Sequence, residues 1–474
     1  MNESIQGLRG RASVFVGALI LGGCATFAPD GGFGSVEQEV RQRIGKDAIW
    51  PRTDAEREAL DSRVASLLSK GPLSADDAVQ VAILNNRDLR AGFAELGMAE
   101  ADLVQAGRLP NPHFSMFRAK LGHDYKIEQA LTFNVLSLVT APLAFEVEKR
   151  RFARAQQGVA VEVLRLASET RKAWVAAVAS EETVRYMRQV LRAADASAEL
   201  AKRMEQAGNW SKLARAREHG FYADAALYLA RAEHAQSAAR ERLTRLMGLW
   251  GEQVGYALPE RLPDLPGTAV ERPDIERQAV AQRLDIRAAV LETEAVARNL
   301  GLTETTRFIN VLEFGPARVL EGEKSDPYKK GYEIALELPL FDWGTARVAK
   351  AEAIYRQSLD RAAQTAINAR SEVREAYRSY RLTHDIAKHY RDEIVPLRKR
   401  IAEENLLRYN GMLIGVFDLL ADTRSQILSV TGYVEALRDF WAADADLQMA
   451  MIGRVEGTLG PKTLLTQPEA AAGH

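Results

Sequence analysis

The stretch YEIALELPLFDWG, residues 332–344, alternates apolar and mostly polar side chains. One face of the extended chain takes the apolar positions Ile334, Leu336, Leu338 and Leu340, and the other takes Glu333, Ala335 and Glu337. A period of two predicts a β-strand. Such a strand fits a membrane barrel with a lipid face and a wet lumen face, or a half-buried sheet of a soluble domain. Periodicity alone does not separate these two possibilities.

Three other segments are strand candidates. Residues 126–135 (KIEQALTFNV) alternate in the same way, with Gln129 as the exception on the apolar face, and the segments 307–315 and 113–119 are weaker. Four strands cannot close a transmembrane barrel, because the smallest bacterial form has eight. If these strands enter a membrane, several chains must share one barrel.

The two halves of the chain resemble each other. Residues 87–103 align with residues 284–300, an offset of 284 − 87 = 197. Farther on, Ala207-Gly208 aligns with Asn410-Gly411, an offset of 410 − 207 = 203. Each half predicts the same order of helix, strand pair, very long helix and helix. A unit this long indicates a duplicated half-protein rather than a solenoid repeat.

Long helices dominate both predicted halves. Ser74 with Asp77 resembles a capping-box start for a helix that runs towards Gly107. A helical tract from about Phe145 to Met204 would be roughly 90 Å long. Near the end of this tract, apolar residues recur at alternating steps of three and four, which is typical of a coiled coil: Val184, Met187, Leu191, Ala194, Ala198 and Ala201.

Proline marks the boundary between the halves. Residues 256–273 hold four prolines, which forbid continuous helix. The predicted organisation is a signal peptide at 1–23, a lipidated N-terminal segment at 24–71, halves at 72–255 and 274–453 around the 256–273 linker, and a flexible tail at 454–474.

Composition narrows the function classes. The formal charge is −1, so the composition does not indicate binding to nucleic acid or a polybasic surface that binds membranes. The tracts rich in alanine, arginine, leucine and glutamate favour long helices. The chain has one cysteine, Cys24, so no intrachain disulfide is possible.

The position of Cys24 indicates lipidation. Arg9 and Arg11 precede the short apolar run 14–21, as in a secretory signal peptide. Residues 21–24, LGGC, resemble the bacterial lipobox, in which the cysteine takes a diacylglycerol and becomes the first mature residue. The alternative is an ordinary signal peptide cut after Ala28, with an unfavourable proline following the cut. Because residue 25 is alanine rather than aspartate, the inner-membrane retention signal of lipoproteins is absent, which favours the outer membrane.

Four stretches together resemble the TolC-like outer-membrane efflux family: LSADDAVQVAILNNRDLRA, AELGMAEADLVQAGRLPNP, LELPLFDWG and VFDLLADTRSQILSVTGYVEAL. The likeness covers roughly residues 72–453. With the start at Cys24, it resembles the lipoprotein branch of that family.

This resemblance implies a mainly α fold with a small membrane β-barrel. Each chain of a homotrimer would give four strands to one twelve-stranded barrel, and the long coiled-coil helices would form a periplasmic tunnel. The protein would be a passive outer-membrane exit channel that works with a periplasmic adaptor and an inner-membrane pump. It would be no enzyme and need no cofactor beyond the covalent lipid on Cys24.

The resemblance also implies acidic residues at the periplasmic tip. In NGMLIGVFDLLADTRSQ, Asp418 and Asp422 are four apart and would share a helix face. Three copies would place a ring of carboxylates around one axis as a pore constriction, although Asp422 lies one place later than the family pattern. The alternative is two solvated aspartates near a helix start. The 203 offset pairs them with Arg215 and His219, which could form salt bridges that hold the tip shut.

Other candidate residues are weaker. Scattered soft or borderline ligands such as His113, Met116, His123 and the pair Met449 and Met451 form no dense cluster, so no metal site is predicted. Trp343 suits a membrane interface, and Asp342 and Gly344 suit a strand-to-helix turn. The alternative functions are the exit duct of a type I protein secretion system, exporting protein instead of drugs or metal ions, and a periplasmic coiled-coil scaffold lipoprotein.

Overall fold

The computed structural model describes residues 26–455, with the backbone alone at 416–418 and 420–425. The N-terminal segment contains α1 (Gly34–Ile44) and α2 (Asp54–Ser69). The first half contains α3 (Ala75–Asn85), α4 (Arg87–Ala106), β1 (His113–Leu121), β2 (Asp124–Asn134), α5 (Val135–Gln206) and α6 (Lys212–Met247). The second half contains α7 (Ile275–Gln282), α8 (Leu284–Thr306), β3 (Leu312–Gly322), β4 (Lys329–Leu336), α9 (Thr345–His389), a π-helical turn (Tyr390–Ile394), α10 (Val395–Asn410) and α11 (Val416–Ala450).

The predicted element order is confirmed in both halves. The helix α4, the pair β1–β2, the long α5 and α6 correspond to α8, β3–β4, α9–α10 and α11. The four strands form one antiparallel sheet in the order β1-β2-β3-β4, so the pairing of β2 with β3 joins the two halves.

Two strand boundaries differ from those predicted. The strand expected at 307–315 is β3, and it begins at Leu312, because residues 307–311 turn from α8 into the sheet. The strand β4 ends at Leu336, so Leu338 and Leu340 lie beyond it. Pro339 has no N–H to donate, which ends the ladder at this point.

The long helices exceed their predicted length. Helix α5 has 72 residues, about 108 Å at 1.5 Å per residue. It starts at Val135 instead of Phe145, because the Asn134 side chain accepts a hydrogen bond from the Ser137 amide at 2.8 Å and caps it. Pro142 lies inside this helix, eight residues from its start. The tract 345–410 matches it in the second half at about 99 Å, with the π-helical turn between the 45-residue α9 and the 16-residue α10.

The helix expected to run from Ser74 towards Gly107 is two helices. Asn86 has an extended backbone, with φ −65° and ψ 124°, and its side chain caps α4 by accepting from the Leu89 amide at 2.9 Å. Its Nδ2 also donates to the Leu246 carbonyl at the end of α6. Asparagine therefore breaks the helix where the chain must turn against a neighbour. The Ser74 side chain does cap α3 as predicted, accepting from the Asp77 amide at 3.1 Å.

The proline-rich residues 256–273 contribute to the core of the helical body. Leu258, Leu262 and Leu265 are buried in its largest hydrophobic cluster, together with residues of α3, α5, α9 and α11. Carbonyl groups of this segment accept hydrogen bonds from side chains of the second half, such as Pro263 from Trp441 and Leu265 from Arg391. The segment is thus held by both packing and hydrogen bonds.

The N-terminal segment packs on the helical body as a strap, defined here as residues 26–53. The Phe33 ring lies edge-on to Phe93 at 4.8 Å, and Trp50 packs beside both. Val36 and Val40 of α1 join the cluster formed by α3, α4 and α5. No pattern was assigned to this part of the chain from its sequence, although Val36, Val40 and Ile44 of α1 follow the spacing of an amphipathic helix.

Candidate channel-forming surfaces

The strand register separates the sheet into two chemically different faces. Directly paired residues share a face, so the pairs Phe133–Phe314 and Phe314–Ile334 place these three side chains on one side. Glu313 and Ala335 pair on the opposite side. The alternation predicted from the sequence is therefore consistent across neighbouring strands. We call these sides the apolar face and the polar face.

The apolar face is exposed near the helices. Large side chains there have from about one third to nearly three quarters of their surface free: Phe114, Met116, Leu131, Phe133, Phe314, Tyr332, Ile334 and Leu336. Exposed apolar residues continue past the sheet at Val139 and Leu143 of α5 and at Leu338, Leu340 and Phe341 after β4. Together these residues form a contiguous apolar band of the kind that marks an interaction surface.

The polar face carries an excess of carboxylates. Its acidic residues are Asp124, Glu128, Glu313, Glu321 and Glu333, against Lys126 and Lys329. Lys126 forms an ion pair with Glu128 at 2.8 Å, and Lys329 with Glu321 at 3.3 Å. Thr132 donates to Glu313 across β2 and β3 at 3.0 Å. The remaining positions hold small residues such as Gly315 and Ala317 and the larger apolar residues Phe117, Leu121 and Val319, so the net charge of this face is negative.

The apolar face changes character at its distal end, the end with the β1–β2 and β3–β4 turns. Four basic side chains lie there: Arg118, Lys120, Arg318 and Lys330. Tyr125 accompanies them, with Arg118 and Lys120 at 5.6 and 5.2 Å from its ring centroid. The apolar side chains Ile127 and Leu320 lie among these basic residues on the same face, and Leu320 is buried there.

Both outer edges of the sheet are open within the described residues 26–455. The first strand, β1, pairs only with β2, and the last, β4, pairs only with β3. An open strand edge presents unpaired backbone groups that invite pairing with another chain. Because the strands alternate in direction, β4 of one chain would lie antiparallel to β1 of a second.

Two helical hairpins end at tips far from the sheet. In the first, the Asn209 amide donates to the Met204 carbonyl and Gly208 has φ 77°. In the second, the Leu413 amide donates to the Arg408 carbonyl and Met412 has φ 57°. The equivalent bonds are thus related by an offset of 413 − 209 = 204, and the starts of α6 and α11 agree (416 − 212 = 204).

This offset corrects the alignment at the tip. The equivalents of Asp418 and Asp422 are Ala214 and Glu218, not Arg215 and His219, because Gly208 matches Met412 in the turn. Arg215 forms an ion pair with Glu205 of its own hairpin at 3.1 Å. Glu218 is 1% exposed and accepts a hydrogen bond from Ser197 at 2.8 Å.

The predicted constriction residues lie at the expected place in the chain. Asp418 and Asp422 belong to the first two turns of α11, directly after the second tip. Their side chains are outside the described residues, so their role stays a prediction. Cys24 is also outside the described residues. Four residues later in the chain, the Ala28 amide donates to Glu100 of α4 at 2.6 Å.

The connection between β4 and α9 has the predicted turn chemistry. Gly344 has φ 71°, and a Cβ there would lie 2.6 Å from the Arg307 carbonyl oxygen. The Asp342 carboxylate accepts from the Gly344 amide at 2.8 Å. Trp343 packs edge-on against Phe308 at 6.2 Å, at the proximal end of the apolar band.

The candidate metal ligands are separated by the fold. His113 lies on the polar face and Met116 on the apolar face, and Met449 and Met451 are buried among apolar side chains. Among the side chains that the structure describes, which exclude those at 416–418 and 420–425, no three His, Cys, Asp or Glu are grouped to hold a metal ion. Over the same residues, no helix combines the length and hydropathy needed to cross a bilayer.

Sequence reasoning missed two sets of charged residues. The carboxylates of the polar face were visible one strand at a time, but only the register brings them together. The distal basic residues are spread over β1, β3 and β4, and Arg318 and Lys330 lay outside the segments that alternated most clearly. The available signal was a period-two pattern in which the basic residues of each strand lie at the end next to the turn.

The fold is that of TolC-like outer-membrane channels: a helical body of long hairpins with a four-stranded sheet at one end. It is shared with solved structures of a Pseudomonas aeruginosa membrane protein, the Vibrio cholerae outer membrane protein VceC and the Campylobacter jejuni CmeC outer membrane channel. Their TM-scores are 0.69, 0.67 and 0.66, and their identities to this chain are 18%, 16% and 17%. Each covers 80% of this chain, which in turn covers 93%, 95% and 85% of theirs. No protein-family model and no curated protein sequence matches the chain.

Proposed function

We propose that three copies of this chain form an outer-membrane channel for efflux. Their sheets would close one twelve-stranded barrel, and their long helices would form a duct across the periplasm. The observation that carries this proposal is the sheet itself, which has an exposed apolar face, a charged opposite face and two open edges. In a barrel, the apolar face would meet lipid, the charged face would line the lumen and the open edges would pair between chains.

Strand length supports insertion into a membrane. The four strands have 9, 11, 11 and 8 residues. A tilted transmembrane strand needs about 9–11 residues. A scaffold with a soluble sheet would have no reason to leave Phe114, Phe314 and Ile334 uncovered.

The charge of the polar face favours neutral or cationic cargo. Five carboxylates against two lysines give a formal −3 per chain on this face. A lumen lined by one sign of charge concentrates counter-ions and repels ions of its own sign. Drugs or metal ions would enter from a periplasmic adaptor and an inner-membrane pump docked at the tips. The channel supplies a passive path and no catalysis.

The strap supports lipidation of Cys24. Ala28 is held against Glu100, about 9 Å along α4 from that helix's last residue, Ala106. Four residues can span at most about 14 Å, so Cys24 can reach the level where the strands begin. A lipid on Cys24 would therefore enter the membrane that holds the sheet. A Cys24→Ser variant should lose the lipid and still assemble, because the barrel anchors the chain; a wholly soluble variant would contradict the barrel.

Asp418 and Asp422 are proposed to form the constriction at the tip. Their place at the start of α11 would bring three copies of each near the axis of the duct. The double variant Asp418→Ala with Asp422→Ala should have a weaker cation preference in single-channel recordings. Asp54→Ala with Glu58→Ala, which removes two exposed carboxylates four residues apart on α2, outside both the tip and the sheet, is the matched control. Unchanged selectivity in the double variant would remove these residues from the constriction.

Electron microscopy of the detergent-extracted protein tests the assembly. The expected particle is a threefold tube with a helical part on the order of 100 Å long. A monomeric rod would overturn the proposal in favour of a scaffold.

Disulfide cross-linking tests the strand pairing between chains. Ser115→Cys on β1, combined in turn with Lys329→Cys, Gly331→Cys or Glu333→Cys on β4, should give covalent trimers for the pair in register. Ser115→Cys with Ala130→Cys is the control, because these residues pair within one chain and should cross-link as a monomer. Absence of intermolecular bonds in every edge pair would contradict closure of the sheet.

A further inference from the structure

The charges of the sheet are segregated between its faces. The basic residues at the distal end of the apolar face are Arg118, Lys120, Arg318 and Lys330, and no acidic residue shares that face along the paired strands. The acidic residues are all on the polar face. Lys329 and Lys330 show this contrast directly. Lys329 forms an ion pair with Glu321 on the polar face, whereas Lys330 lies on the apolar face.

These basic groups repel one another in the isolated chain. Arg318 and Lys330 are directly paired residues, so their side chains start about 5 Å apart, and like charges in such a pair are unfavourable. Arg318 donates to the Gln129 side chain at 2.6 Å, and its guanidinium lies 4.8 Å from the Tyr328 ring centroid. Among the described residues, none of the four basic side chains forms an ion pair. Neutral contacts position the groups and leave their charge uncompensated.

The position of these residues indicates which anion they meet. If the apolar band faces hydrocarbon, the basic residues lie at the depth of the headgroups on the distal side of the membrane. Long basic side chains keep their alkyl parts in the apolar region and their charges at the interface. Tyrosine favours the same level. Phosphate is the anion that arginine and lysine bind most readily.

We propose that Arg118, Lys120, Arg318 and Lys330 form a binding site for the phosphate groups of a glycolipid in the outer leaflet. This inference rests on the proposed function, because it needs the apolar face to meet lipid. The glycolipid would neutralise the repulsion between Arg318 and Lys330 and hold the barrel at a fixed depth. Sugar hydroxyls next to the phosphates would reach Gln129 and the tyrosines.

Native mass spectrometry of the detergent-solubilised oligomer tests this site, with diphosphoryl lipid A as the probe and its dephosphorylated form as a reference. The test variant is Arg318→Gln with Lys330→Gln. The control is Lys126→Gln with Lys329→Gln, which removes two positive charges from the polar face of the same sheet. Arg118→Gln serves as a second test variant if the double change prevents assembly.

The test variant should bind diphosphoryl lipid A at least about tenfold more weakly than the parent, and the control within about twofold. The difference should shrink as salt is raised and vanish with the dephosphorylated lipid. Equal binding by parent and test variant, or an equal loss in test and control variants, would overturn the site. Conductance of the parent in a phospholipid bilayer distinguishes failure of this inference from failure of the proposed function. If the parent conducts but the variants show no difference in binding, this inference alone is refuted. If the parent forms no channel, the proposed function is refuted.

Discussion

Replacing Ile334 by lysine distinguishes a membrane-facing sheet from a soluble one. Ile334 lies in the middle of the apolar band, between Tyr332 and Leu336 on β4 and opposite Phe314. Its side chain is 57% exposed, so in water a lysine would cost at most about 0.5 kcal/mol, as for other surface substitutions.

In a membrane the same change has a large cost. A lysine on the lipid face near the bilayer midplane destabilises a barrel by about 2–4 kcal/mol. This corresponds to roughly a 30- to 700-fold smaller folded-to-unfolded ratio per chain. If three chains unfold together, the loss is about 6–12 kcal/mol.

Urea unfolding of the protein from phospholipid vesicles measures this difference. Glu333→Lys is the matched control, since it places a lysine one residue away on the polar face, where water should solvate it. We expect a lower midpoint for Ile334→Lys and little change for the control. If Ile334→Lys loses less than about 0.5 kcal/mol, the apolar face does not meet lipid and the assignment of the sheet fails.

Three further changes test local features of the structure. Gly344→Ala should destabilise the protein by about 1–2 kcal/mol or more, because φ is 71° and the new Cβ would lie 2.6 Å from the Arg307 carbonyl; Gly331→Ala, with open space around it, is the control in thermal melts. Met412→Gly should stabilise the second tip by up to about 1 kcal/mol, because it relieves φ 57°, and slower hydrogen exchange at 408–413 would show it; faster exchange would contradict it. Burial raises the pKa of the Asp444 carboxyl above its ordinary value of 3.8. The folded protein is therefore more stable at low pH, where this carboxyl is protonated, and this contribution is lost as the pH rises through the folded-state pKa. Asp444→Asn should therefore raise Tm at neutral pH and lose this advantage near pH 4; a Tm gain independent of pH would rule out this carboxyl as the cause.

The sequence predicted the elements whose pattern is local. The alternation in 126–135 and 332–344 and the long helices each depend on residues close together in the chain, and they appear in the fold, although the strand at 332–344 ends at Leu336. The boundaries were less predictable, because they depend on distant partners. Asn86 ends α3 while bonding to the Leu246 carbonyl, and residues 307–311 turn because Gly344 and Trp343 pack against them.

The tip shows how a short offset error changes a functional reading. With an offset of 203, the position equivalent to Asp422 in the other half is His219; with the structural offset of 204 it is the acidic Glu218. Only the hydrogen bonds of the two turns fix this register, since methionine occupies in one turn the left-handed position that glycine occupies in the other. The residue type at 412 did not indicate a left-handed backbone, because such positions are usually occupied by glycine.

The strap has a consequence for the order of folding. Val36 and Val40 share a hydrophobic cluster with Leu284 and Met449, residues more than 240 positions later in the chain. The part of the chain made first therefore cannot complete its packing until the last long helix has been made and docked. Contacts of such sequence separation slow folding. If Cys24 is lipidated at the start of secretion, the chain would be anchored at its N-terminal end throughout folding. The strap would then pack only after both halves have folded.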